Sequence, residues 1–95
     1  MGDNAHMLYM VIEQYLDGPG PVYQRVAESG RMLPDGLTYL NSWVTADGMD
    51  GCFQLMETDD PALLGAWTER WSDLAEFEIV PVITSAEAAA RARGA

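Results

Sequence analysis

The chain has 95 residues, enough for one domain that buries roughly 60–65% of its unfolded surface. Apolar residues make up 48% of it, which supports a packed core and excludes wholesale disorder. A formal charge of −10 would be repelled by phosphate backbones and anionic lipid, so neither nucleic acid nor a membrane surface is an expected partner.

No apolar run approaches the roughly 20 residues that span a bilayer, and no secretory signal pattern is present. The single cysteine allows no internal disulfide and suits a reducing compartment, so the expected location is the cytoplasm. The one histidine, His6, has no companions for metal binding or for activating a thiol. The sequence therefore assigns no metal, no cofactor and no catalytic residue.

Residues 1–6, MGDNAH, are polar and aperiodic, and the His6-Met7 join resembles a cloning junction. They are read as a leader, with the natural start at Met7. Residues 7–84 then form one domain and 85–95 a tail. The run 7–14, MLYMVIEQ, is a strand with apolar residues on both parities, the pattern of a strand covered on both sides. The breaker cluster Asp17-Gly18-Pro19-Gly20-Pro21 ends it. A short helix is predicted over 21–29, with a stripe of Tyr23, Val26 and Ala27 and with Gly30 just past its end.

Residues 37–46 alternate as a strand, Asp47 to Gly51 supplies a turn, and 52–58 alternates again, so 36–58 is a β-hairpin. Asp60 and Pro61 open a second helix over 61–74, with Leu63, Leu64, Trp67, Trp71 and Leu74 on its apolar stripe. Residues 76–83 form a last strand, placed at a sheet edge because Pro81 cannot donate to a ladder. Residues 85–93, SAEAAARAR, have helical composition but no apolar stripe.

The order β-α-β-β-α-β is that of a ferredoxin-like α+β fold, an antiparallel sheet with two helices on one face. Two helices leave the other face bare, and a homodimer packed sheet against sheet would cover it.

The stretches MLYMVIEQY, PVYQRV, GRMLPDGLTYLNSWV, CFQLMETDDPALL and WSDLAEFEIVPV together resemble a bacterial family known as domain of unknown function 3303. The resemblance covers most of residues 7–85. It implies membership of the dimeric α/β-barrel group within the ferredoxin-like folds, which supports the homodimer. It brings no catalytic residue. Relatives in the wider group include small monooxygenases, isomerases, ligand binders and regulators, and the shared fold does not choose among them.

Candidate chemistry gathers on one parity. If the aliphatic parities face the helices, Tyr9, Val11, Glu13, Tyr39, Asn41, Trp43, Cys52, Gln54, Met56 and Glu78 share the opposite, open face. Glu13, Asn41 and Gln54 would then be convergent polar groups among the aromatics Tyr39 and Trp43, the composition of a small-molecule site. A dimer seam whose polar groups bond one another accounts for the same pattern. Arg31, in the loop after the first helix, could clamp an anion or simply face water. Glu13, Glu57 and Glu78 could work as an acid–base pair if two of them met. Trp67 and Trp71 are core anchors or the walls of a cleft.

Three readings follow. The chain is a small-molecule-binding homodimer; or a cofactor-independent monooxygenase or isomerase acting on a small, aromatic-type compound; or a purely structural or partner-binding module. A cavity at the sheet, or its absence, separates the first two from the third.

Overall fold

The computed structural model describes residues 7–94; the expected leader, residues 1–6, lies outside the described residues, as does residue 95. The elements run β1 (Met7–Tyr15), α1 (Pro19–Ser29), β2 (Thr38–Val44), β3 (Gly51–Thr58), α2 (Ala62–Glu69), β4 (Ala75–Val82) and α3 (Ser85–Gly94). The strands form one sheet in the order β2-β3-β1-β4, and every neighbouring pair is antiparallel. Two interleaved β-α-β units give this order, an α+β architecture consistent with the ferredoxin-like arrangement. β4 lies at an edge, as Pro81 requires.

Helix boundaries show where local chemistry prevailed over pattern. α1 begins two residues earlier than expected, at Pro19, and turns Val22 rather than Tyr23 into the core. Val26 follows Val22 one turn later, whereas Tyr23 and Ala27 are exposed. Asp60 opens α2 as expected, its carboxylate accepting the Ala62 N–H at 3.1 Å.

The regular part of α2 stops at Glu69 rather than continuing to 74. Residues 70–74 instead tighten into turns in which Arg70 and Trp71 donate to the carbonyls of Trp67 and Thr68. That tightening keeps both Trp67 and Trp71 buried. The tail is helical as α3 and every residue of it is exposed.

Sheet register overturns the expected assignment of faces. In an antiparallel ladder directly paired residues share a face. Tyr9, Val11 and Glu13 of β1 pair with Met56, Gln54 and Cys52 of β3, and together with Tyr15 they pair with Pro81, Ile79, Phe77 and Ala75 of β4. Tyr9, Val11, Tyr15, Cys52 and Met56 belong to one buried cluster with Val22, Leu64, Trp67 and Trp71 from the helical layer. So the helices cover the parity that holds Tyr9, Val11, Glu13, Cys52, Gln54 and Met56, not the aliphatic one. Leu8, Met10 and Ile12 lie on the open side, only partly buried.

Electrostatics explains the choice. The open face also carries Glu57, paired with Leu8, Glu78, paired with Ile12, and Glu76, paired with Gln14. Covering it with helices would desolvate three carboxylates, against Glu13 alone on the other face.

A second correction concerns β2. Its register shifts between Tyr39 and Asn41, so that Tyr39 pairs with Met56 but Ser42 with Gln54 and Val44 with Cys52. One extra residue in a strand reverses the parity beyond it. Tyr39, Ser42 and Val44 therefore face the helices. Asn41, opposite Leu55, and Trp43, opposite Phe53, face away.

Candidate ligand pocket beneath the first helix

The helix-covered face is not completely filled. Between α1 and the sheet lies a cavity of about 90 Å³, partly open to solvent. Glu13, Cys52 and Gln54 form its floor, Val22 and Val26 its roof, and Trp67 and Trp71 its inner wall. Tyr23 and Arg31, both exposed, sit at its mouth. A dry cavity of about 150 Å³ holds benzene, so this one takes a smaller guest or one end of a larger molecule.

Glu13 is 6% exposed and Gln54 8%. They are diagonal neighbours on β1 and β3, and Gln54 Nε2 donates to Glu13 Oε2. That bond occupies the amide nitrogen and leaves Gln54 Oε1 buried with no hydrogen-bond partner. Such a group costs about 1–3 kcal/mol when nothing meets it.

Burial raises the Glu13 pKa from its usual 4.5 to about 7; the Gln54 hydrogen bond and the nearby Arg31 charge oppose the rise without cancelling it. Burial likewise pushes the Cys52 thiol up to about 11, helped by the Glu13 charge. A thiol held protonated at neutral pH is a poor nucleophile, so Cys52 serves as a wall. Tyr15 is also held protonated, by burial first and then by Cys52 and Glu13.

The mouth is built by the loop between α1 and β2. The indole N–H groups of Trp67 and Trp71 both donate to the Arg31 carbonyl, at 2.9 and 3.1 Å. Arg70 donates to the next carbonyl, that of Met32, at 2.6 Å. Met32 itself has φ 59, a left-handed conformation that costs a non-glycine residue about 1–2 kcal/mol. Three side chains from the α2 region thus hold a strained loop in place. The result is an Arg31 guanidinium lying 3.6 Å above the Tyr39 ring. Tyr39 is steadied in turn by a 2.7 Å hydrogen bond between its hydroxyl and Ser42 Oγ.

A family model described as Domain of unknown function (DUF3303) matches residues 7–95. The chain belongs to this family. No curated protein and no solved structure matches it. The DUF3303 description carries no activity, so what this member does must be read from the pocket.

Of the residues proposed from sequence, this DUF3303 chain brings Glu13, Gln54 and Arg31 to the cavity and sets Tyr39 directly behind Arg31. Asn41 and Trp43 are on the opposite side of the sheet, where Asn41 Oδ1 accepts the Ser42 N–H. The acid pairs considered from sequence do not form, because Glu57 and Glu78 lie on the face opposite Glu13. Trp67 and Trp71 fill both proposed roles, being buried in the core while walling the cavity.

Tyr15, Ser42 and Val44 were missed. Tyr15 extends the Tyr9-Val11-Glu13 parity by one step and was legible. Ser42 and Val44 were not, because nothing in TYLNSWV marks the register shift.

Among the described residues no group of three or more His, Cys, Asp or Glu side chains is placed to hold a metal ion. Among them, too, no helix is long and apolar enough to cross a membrane.

Proposed function

We infer that this protein binds a small polar molecule in the cavity beneath α1. The observation that carries the reading is the orphaned Gln54 Oε1, buried at the cavity floor beside Glu13. A ligand that donates a hydrogen bond there removes a cost that the empty pocket bears. Small polar compounds that bind only the folded state should raise the melting temperature by mass action. Val26→Phe, which fills the cavity from its roof, should keep the fold and lose that shift. A shift that survives Val26→Phe would place the binding site elsewhere.

If the bound molecule is turned over, Glu13 is the group that supplies chemistry. A carboxyl poised near pH 7 can both take and give a proton, which fits an isomerisation better than the other reactions considered. Activity in such an assay should follow a single ionisation near neutrality, and activity retained in Glu13→Gln would exclude this role.

The same chain is proposed to act as a homodimer, the open sheet faces packing into a dimeric α/β barrel through their apolar residues, with Glu76 and Glu78 on the edge strand β4 and Glu57 near the end of β3 left in water at the rim. What supports this is the open face itself, with Leu8, Met10, Ile12, Leu55, Val80 and Val82 partly exposed and Phe53 and Trp43 at 39% and 51%. Four strands about 4.8 Å apart, each about eight residues at about 3.3 Å rise, give a face of roughly 500 Å² in plan. Side-chain relief brings that toward the roughly 800 Å² per partner of a standard interface. Size exclusion with light scattering should report twice the 10.4 kDa chain mass. A monomer at micromolar concentration refutes it.

A further inference from the structure

The cavity has two chemically opposite ends. At its buried end two adjacent side chains present acceptors. Gln54 Oε1 has no donor, and Glu13, once ionised, accepts only from Gln54 Nε2 among the described residues. At its exposed end Arg31 presents a guanidinium for which no hydrogen bond or salt bridge to a described residue is found. Both ends are built rather than incidental. The acid and the amide are held by strand pairing between β1 and β3, and the arginine by a loop pinned through Trp67, Trp71 and Arg70.

Complementarity to such a cavity requires donors inside and acceptors outside. An ammonium group brings three donors and a positive charge to the acceptor end, where charge-assisted bonds are the strong ones. A carboxylate matches the planar fork of Arg31 at the mouth.

We propose that the ligand is a short zwitterionic amino acid, its ammonium on Glu13 and Gln54 and its carboxylate on Arg31. This rests on the reading of the cavity as a binding site. A volume of about 90 Å³ admits a short aliphatic spacer and no aromatic ring. Glu13, Gln54 and Arg31 line the same small cavity, so a short chain is enough to join the ends. Net neutrality also matters. With −10 on the protein, a free anion is repelled on approach, whereas a zwitterion is not.

Calorimetric titration at pH 7.5 tests this with glycine, β-alanine and 4-aminobutyrate against probes that each lack one end, propylamine and propionate, and against neutral propionamide. The best zwitterion should bind about tenfold or more tighter than either single-ended probe. Glu13→Gln should erase its advantage over propionate, and Arg31→Met its advantage over propylamine. If propionamide or a single-ended probe binds as tightly as every zwitterion, the two-ended assignment fails and the cavity remains a binding site. If no probe of any class binds, both readings fall.

Discussion

The two faces of one sheet divide its chemistry in an unexpected way. The face beneath the helices holds the tyrosines, the tryptophan contacts and a carboxylic acid, while the open face holds the plain aliphatics Leu8, Met10, Ile12, Val80 and Val82. Hydrophobicity alone would have reversed them. What separates the faces is the number of carboxylates that burial would desolvate: Glu57, Glu76 and Glu78 on one, Glu13 on the other. The lone acid is tolerated because Gln54 bonds it and burial holds it near neutrality. A helix layer thus selects the face with fewer charges even when that face is less purely apolar.

Neighbouring residues of β1 give the sharpest way to break the comparison. Val11 is fully buried under the helices, and Ile12 points to the open side. Val11→Asp places an unpaired charge in the core, costing several kcal/mol, and should leave no cooperative unfolding transition in circular dichroism. Ile12→Asp, one position along, should keep native circular dichroism and change only the mass seen by light scattering. Two unfolded variants would mean that the open face is part of the chain's own core.

Trp67→Ala follows in size. Trp67 is 2% exposed, packs 6.5 Å from Phe77 between ring centres, and anchors the Arg31 carbonyl. Its loss should cost about 3–5 kcal/mol in urea titration, with an unchanged slope. Because its indole N–H also holds the loop, ligand affinity should fall along with stability.

Glu13 tests the electrostatic half of the comparison. Its folded pKa, about 7, lies above the usual 4.5, so the folded state keeps this proton longer than the unfolded chain does. The stability this group contributes is complete below about pH 4.5 and is lost as pH rises to about 7. At about 1.4 kcal/mol per pH unit the loss amounts to roughly 3 kcal/mol. Glu13→Gln removes the titration and leaves an amide that can still pair with Gln54. The variant should therefore match the wild type near pH 4.5 and exceed it at pH 8. Parallel stability curves for the two proteins across that interval would show that Glu13 ionises freely.

Much of this architecture was legible in the residues. The apolar run 7–14, alternation in 37–46 and 52–58, the Asp60-Pro61 start and the Trp67, Trp71 spacing located the strands, the hairpin and the second helix close to where they lie. Parity also grouped Glu13 with Gln54 correctly. Which parity the helices would cover could not be read strand by strand, since the carboxylate count that decides it appears only when β1, β3 and β4 are in register. Nor could the shift at Leu40, which sends Tyr39 inward and Asn41 and Trp43 outward, because every residue in that run suits either face. Arg31 stood out as a rare cation, but its position depends on carbonyl contacts from residues 36 to 40 positions further along.

The smallest expected effect on chain stability belongs to the largest side chain on the open face. Trp43 is 51% exposed and sits opposite Phe53 on the edge strand β2, so its contacts within one chain are few. Trp43→Asp should change the stability of the isolated chain by no more than about 0.5 kcal/mol. Its consequence for assembly should be far larger. If two open faces meet, melting of the wild type depends on protein concentration, because association favours the folded state by mass action. Melting curves recorded across a hundredfold dilution should shift for the wild type and coincide for Trp43→Asp. Curves that coincide for both proteins would mean that the aliphatic face stays in water, and that its acids alone keep it soluble.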